Sequence, residues 1–224
     1  MKQERKDMDL PLLNGLDDQV KEAVLSLTRM KKWARGELIV SEGDVCKSLY
    51  IVTEGVAAVQ KYTPAGEYST IRLLAPGDCF GEELVFEKEG RYSNTLEAVS
   101  DVVIITIAVD QLADMMDQYP VLKDNYLQVL FRRMKAQDQR ITLLSLKTVR
   151  QKISFYLLSL YDVSEPERVI LPVSKEVIAK FLSIPRPSFS RELTLMEKEG
   201  KIRVAGRTVE LPDIASLRKE LGEV

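Results

Sequence analysis

Arg186, Ser188, Ser190 and Arg191 crowd into the stretch 186–191, where their types and spacing suit hydrogen bonding to the edges of bases. An arginine guanidinium donates two parallel N–H bonds to guanine O6 and N7, and a serine hydroxyl reaches either bases or phosphate oxygens. More cations flank the stretch, with Lys175 and Lys180 before it and Lys201, Arg203 and Arg207 after it. Such charges suit a phosphate backbone, to which binding is electrostatic and independent of sequence. A solvated helical hairpin whose arginines only aid solubility would carry the same residues. The elements that position them therefore decide between the two.

Ser174 can cap a helix that runs to about Leu182, and Ser183-Ile184-Pro185-Arg186 reads as a turn. A second helix is predicted from 187 to 199. Pro187 marks its start rather than a break, because the first-turn N–H groups of a helix have no intrahelical partner to lose. Gly200 stops it. Val177, Ile178, Phe181, Leu182, Ile184, Phe189, Leu193 and Met196 can then pack inward, which is the pattern of a helix-turn-helix. Ile202–Val204 and Thr208–Leu211 form a hairpin about Ala205-Gly206-Arg207, a basic wing. This arrangement presents Arg186, Ser188, Ser190 and Arg191 at the N-terminal end of the second helix, the part that reaches base edges in the major groove.

Ahead of this motif a helix is predicted over 149–161, then a loop at Ser164–Arg168 and a strand at Val169–Val173. Further upstream, Leu127, Leu130, Met134, Gln137, Ile141 and Leu144 recur in steps of three and four along a helix over 121–147. Such a helix would be a rod of about 40 Å. It could pack on the preceding domain alone, but the heptad spacing favours a parallel dimer seam. Gln137 breaks the seam, either to fix its register or to face a ligand at the junction of two subunits. Between about 33 and 109, short β-rich runs at Leu38–Val40, Leu49–Val52, Val56–Tyr62, Ser69–Leu74, Thr95–Ala98 and Val102–Ala108 alternate with glycine turns. That spacing indicates an all-β sandwich or barrel. A short helix over 14–31, capped by Asn14, precedes it.

The 224 residues carry 45% hydrophobic and 29% charged side chains, the balance of a globular chain with a real core. The absence of histidine removes the usual haem and zinc ligand and the commonest general base. Cys46 and Cys79 are too few for an ordinary iron–sulfur cluster. No nucleophile–base pair, metal set or glycine-rich nucleotide loop is recognisable, so neither an enzyme nor a metal protein is expected. The charged N-terminus and the lack of a long apolar run predict a cytoplasmic protein with no membrane partner. The net charge of −2 is unevenly spread: −5 over residues 1–146 and +4 over 147–211, an acidic module joined to a phosphate-attracting one.

Over about residues 14–211 the chain resembles the CRP/FNR family of bacterial transcription factors. The resemblance rests on Gly36-Glu37, Gly43-Asp44, Tyr50-Ile51-Val52 with Gly55, Pro76-Gly77-Asp78, Phe80-Gly81-Glu82, and the run from Arg186 to Leu193. It implies an α+β chain in three parts. Residues 1–119 would be a cyclic-nucleotide-binding-like effector domain built as a double-stranded β-helix (jelly roll), 120–147 a dimerisation helix, and 148–224 a winged helix-turn-helix. It further implies a homodimer that binds double-stranded DNA at a palindromic operator and recruits or blocks RNA polymerase. A cyclic-nucleotide-binding module of a signalling enzyme or channel would share the β-domain but would have no use for the motif at 174–211.

The effector is a separate matter. In cyclic-nucleotide members the phosphate-binding segment begins at a Gly-Glu, here Gly81-Glu82, and ends in Arg-Ser or Arg-Thr. Here Tyr92 stands at the arginine position before Ser93, and Arg91 falls one residue early, which on a strand means the opposite face. Glu83 adds a carboxylate beside an anion site, and Gln137-Asp138 replace the Thr-Ser pair that meets the base. The lost charge-assisted bond and the added negative group would each cost about 1–3 kcal/mol. No cofactor is identifiable. Cyclic AMP is disfavoured, and another small metabolite in a cavity lined by Arg72, Glu82, Arg91, Tyr92, Ser93, Gln137 and Ile141 is expected, with a degenerate, unliganded pocket as the alternative. Pro187 stands where several members place a base-reading glutamate, so a different operator half-site is expected.

Overall fold

The computed structural model describes residues 10–87, 89–161 and 168–222. The chain divides into two compact units, residues 1–136 and 137–224, with the division inside one long helix.

The first unit is a sandwich of two antiparallel sheets. Strands β1 (Arg29–Trp33), β2 (Leu38–Val40), β3 (Ser48–Glu54), β4 (Ala57–Tyr62), β5 (Tyr68–Leu74), β6 (Cys79–Phe80), β7 (Thr95–Ala98) and β8 (Val102–Ala108) pair in the orders β1-β8-β3-β6 and β2-β7-β4-β5. Strand β8 shows why its sequence is almost continuously apolar. Val102 and Ile104 point into a core shared by both sheets, while Ile105 and Ile107 point to the other face, where helices cover them. Successive side chains of a strand face opposite ways, so a strand buried on both sides has no polar alternation to display.

The helices on that face are α1 (Asp18–Ser26), α2 (Val109–Gln118) and α3 (Pro120–Ser145). Leu112 and Met116 of α2, together with Leu122 and Tyr126 of α3, pack on Leu49, Ile51, Ile105 and Ile107. Three details differ from the sequence reading. The first helix begins at Asp18, and its cap is Asp17, whose Oδ1 accepts the Val20 N–H at 2.8 Å, not Asn14. An aspartate there meets both the orphan N–H groups and the positive helix end. That helix also ends at Ser26, because Arg29–Trp33 pairs with β8, Met30 against Ile105 and Trp33 against Val102, and this long-range pairing overrides the local helical spacing. Finally, α2 fits between β8 and Pro120, which occupies the first turn of α3.

The second unit holds the C-terminal end of α3, then α4 (Val149–Tyr161), β9 (Arg168–Ile170), α5 (Lys175–Phe181), α6 (Arg186–Lys198), β10 (Arg203–Ala205), β11 (Thr208–Glu210) and α7 (Ile214–Glu220). Residues 164–167 of the expected loop lie outside the described residues. The strand after it is shorter than expected and joins the hairpin, giving a sheet in the order β10-β11-β9. Ile178, Leu182, Phe189, Leu193 and Met196 are buried with Ile153, Val209 and Leu217, while Val177 and Phe181 are half-buried. Helix α7 was not anticipated; its cap is Asp213 and it buries Leu217 alone, too little apolar periodicity to read in advance. Among the described residues no helix is long and apolar enough to cross a membrane, and no group of side chains could hold a metal ion.

Candidate nucleic-acid interface

Helix α5 is capped by Ser174, whose Oγ accepts the Val177 N–H at 3.4 Å. It ends in a turn where Ser183 takes a left-handed φ of +55° and the Ile184 N–H donates to the Ala179 carbonyl at 2.9 Å. That reversal sends α6 across α5, with Phe189, Leu193 and Met196 facing the core. The opposite face is exposed at Arg186, Pro187, Ser190, Arg191 and Thr194, a stripe at helical spacing with two guanidiniums and two hydroxyls. Ser188 is half-buried beside that stripe, and Thr194, which was not singled out in advance, is part of it. Its Oγ1 donates to the Ser190 carbonyl at 3.1 Å.

The structure separates the flanking cations into two groups. Lys175 is half-buried in the first turn of α5, Arg186 lies 3.5 Å from Glu176, and Arg203 lies 3.7 Å from Glu210 on the wing. The last two are exposed surface pairs, weak enough for phosphate to displace the carboxylate. Lys201 and Arg207 are engaged elsewhere. Lys201 is only 17% exposed and bonds Glu220 at 2.6 Å and Glu199 at 3.2 Å. Arg207 donates to the Leu171 carbonyl at 2.8 Å and to the Pro172 carbonyl, closing the wing onto the segment before α5.

Lys201 belongs to a network centred on Arg150 of α4. Arg150 Nε donates to Glu192 at 2.6 Å, and its two terminal nitrogens each reach one oxygen of Glu199 at 2.8 Å. These bonds raise the Arg150 pKa and lower that of Glu199, while the carboxylates of Glu220 and Glu199 raise that of Lys201. Glu192 of α6 and Glu199 just beyond its end are thus paired with cations on the inner side, away from the outward stripe and its two guanidiniums. Sequence spacing did not reveal this, because the partners stand far apart in the chain.

In the first unit, Gly81 holds φ +87°, and a Cβ there would meet the Tyr92 ring at 3.1 Å and the Ser48 carbonyl at 3.3 Å. The following Glu82 is buried. Its Oε1 accepts a hydrogen bond from Arg72 at 2.7 Å and forms an ion pair with Arg133 at 3.2 Å, whereas Oε2 has no hydrogen-bond partner. Burial raises the Glu82 pKa and Arg72 opposes the rise. Tyr126 donates its hydroxyl to the Glu82 carbonyl. Beside this pair lies a cleft of about 90 Å³, lined among others by Asp78, Arg132 and Arg133. Ligand pockets are usually about 300–1,000 Å³.

Of the expected lining residues, this cleft brings together Arg72 and Glu82, and adds Arg133, one helical turn before Gln137. Tyr92 is buried: it stacks on Phe80 at 5.1 Å, stands edge-on to Tyr50, and donates its hydroxyl to the Ser48 carbonyl at 2.9 Å. Desolvation pushes its pKa well up, so it stays a neutral phenol. Arg91 donates to the Gly43 carbonyl at 2.8 Å and, together with Tyr92, Lys47 and Tyr50, lines a different, open recess of about 460 Å³. Ser93 and Glu83 are exposed, and neither lines the cleft beside Glu82. Gln137 and Ile141 are exposed on the part of α3 that belongs to the second unit. A buried neutral phenol in place of a guanidinium, and a Glu82 already held by two arginines, do not fit a cyclic nucleotide.

Two family models match this chain in series: a cyclic nucleotide-binding domain over residues 30–119 and a Crp-like helix-turn-helix domain over 151–220. The transcriptional regulator LdrP of Thermus thermophilus is 34% identical over 200 residues, 86% of this chain and 97% of that protein. The cyclic AMP receptor protein of the same species is 26% identical over 93% of this chain and 95% of its own length. The solved structure of a CRP-family transcriptional regulator from Thermus thermophilus is 30% identical, covers 87% of this chain and 97% of its own, and superposes with a TM-score of 0.68. The chain belongs to the CRP/FNR family of transcriptional regulators and is a regulator, not an enzyme.

Proposed function

We propose that the protein acts in the cytoplasm as a homodimer that binds a palindromic operator through α6 and there recruits or blocks RNA polymerase. The observation that carries the reading is the outward stripe of Arg186, Ser190, Arg191 and Thr194 on a helix whose Glu192 is paired with Arg150 on the opposite side. Two such helices, one from each subunit, would enter successive major grooves. The homodimer is supported by α3, where Leu127, Phe131, Met134, Ile141 and Leu144 are exposed at heptad-like spacing. Leu130 is partly covered by the first unit's core and Gln137 is exposed, so Phe131 takes the place beside Leu127 that the sequence assigned to Leu130.

Operator affinity is set by a small molecule in the β-domain other than cyclic AMP. The support is the Phe80–Tyr92 stack at the position of the phosphate-binding arginine, which disfavours cyclic AMP, and the recess of about 460 Å³ lined by Arg91 and Tyr92. One observation favours the alternative of a degenerate pocket: Arg72 and Arg133 already supply Glu82 with counter-charge from within the chain.

Fluorescence anisotropy with duplexes selected from a random pool tests the DNA reading. Saturable binding to a recovered palindrome, far tighter than to random duplex at the same salt, is expected; equal affinity for both refutes it. Titration calorimetry with cyclic AMP is expected to show no binding at micromolar concentration, and a micromolar Kd overturns the assignment of Tyr92. Native mass spectrometry of the purified protein separates the two effector readings by whether a small molecule stays bound.

A further inference from the structure

Arg140 lies on α3, within the second unit, and reaches the turn of the helix-turn-helix. Its guanidinium donates to the Phe181 carbonyl and to Ser183 Oγ at 3.4 Å, and it lies 4.7 Å above the Phe181 ring. Phe181 closes α5, so its carbonyl belongs to the negative end of that helix and draws a cation. The ring face adds a second favourable contact. Ser183 is the residue held at positive φ, a conformation that a non-glycine keeps only where its surroundings enforce it.

The same short run of α3 also carries the seam. Ile141 and Leu144 are exposed there, whereas Leu143 is buried. The link from α3 to α4 spans 146–148 and is itself tied, with the Lys147 and Thr148 N–H groups donating to Gln151 Oε1 at 3.1 and 3.2 Å. Burial lowers the Arg140 pKa, as expected of a cation drawn out of water. A half-buried guanidinium with two acceptors and a ring face gives up much if it swings free, so it acts as a strut rather than a tether.

We propose that Arg140 is a positioning residue that fixes the helix-turn-helix to the dimer helix and so sets the half-site spacing at which both copies of α6 engage DNA. The inference rests on the seam reading of α3 given above. Two half-sites lie one helical turn apart, and each inserted base pair turns one of them by about 34° relative to the other. A rigidly held pair of reading helices cannot follow that turn, and a loosened pair can. Arg140 contacts the turn rather than the outward stripe, so its loss should alter spacing and leave base preference intact.

The test uses the full chain, the selected palindrome, and a series of duplexes with central base pairs inserted or removed. One base pair either way is expected to weaken wild-type binding about tenfold, but that of Arg140→Ala by under about threefold, with unchanged preference at each half-site. Sedimentation should show both proteins as dimers. A dimeric Arg140→Ala with the wild-type spacing profile overturns this proposal alone, whereas a monomeric wild type overturns the seam reading and this proposal together. Should Arg140→Ala unfold, Arg140→Lys, which keeps the charge and one donor for the Phe181 carbonyl, is expected to fold and to show intermediate spacing tolerance. A folded lysine variant with wild-type spacing would also refute the assignment.

Discussion

Arg191 and Lys201 carry the same charge and both looked suited to DNA, but Arg191 is exposed on the outward face of α6 while Lys201 is bonded to Glu199 and Glu220. Their truncations should therefore differ in kind. Arg191→Ala is expected to cost about 1–3 kcal/mol at the operator and relax specificity at one position, while Arg203→Ala should weaken all duplexes alike and lower the salt slope by about 1. Lys201→Ala should leave operator affinity nearly unchanged and lower thermal stability. Competition anisotropy at several salt concentrations, together with a thermal melt, separates the three. Glu199 adds a pH prediction. Its bonds to Arg150 and Lys201 hold its pKa below the ordinary 4.5, so its stabilising contribution is present above that value and is lost as pH falls through the depressed one. Melting temperature should thus fall on acidification below about pH 4.5, and less steeply in Glu199→Gln once both are compared with their neutral-pH values.

At the scale of elements, the turn between β3 and β4 depends on Gly55. Its φ is +75°, and a Cβ there would lie 2.0 Å from the Asp101 carbonyl oxygen, a backbone atom that cannot move aside on its own. Gly55→Ala is expected to destabilise the β-sandwich by about 2–4 kcal/mol, since a left-handed alanine and a backbone overlap add. Urea denaturation gives the value, and a loss below about 0.5 kcal/mol, the range of ordinary surface changes, would refute the geometry. The contrast with Gly43 or Gly206 is instructive. Both hold positive φ, but neither would bring a Cβ within 4 Å of a neighbour. A glycine turn signal in the sequence therefore marks a conformation, and only the neighbouring loop at Asp101 makes one such turn intolerant of any side chain.

For the whole molecule, the proposed homodimer rests on the exposed row of α3. Ile141 is 66% exposed and Leu144 49%, large apolar side chains for which water is a poor final environment. Replacing both with glutamate should give monomers by sedimentation equilibrium and abolish tight binding to the palindrome while sparing weak binding to random duplex. A double variant that remains dimeric would rule out the seam. The uneven charge has a matching consequence. The acidic first unit is repelled by phosphate and the basic stretch 147–211 is drawn to it, so DNA is approached by the second unit despite a net charge of −2.

Much of this architecture was legible along the chain. Glycine turns set the strand lengths, helical periodicity and a proline start set α6, and charge arithmetic separated the acidic unit from the basic stretch, because each depends on neighbours a few residues away. Tertiary structure decided what depends on distant partners. It moved Met30 from a helix into β1 by pairing it with Ile105, buried Tyr92 between Phe80 and Tyr50, and brought Arg133 to Glu82. It also sorted cations of equal charge into those facing outward and those held inside, through carboxylates on α6 and α7 that sequence spacing does not bring together. Residue type fixes which bonds a side chain can form, but the choice among competing partners belongs to the packed chain.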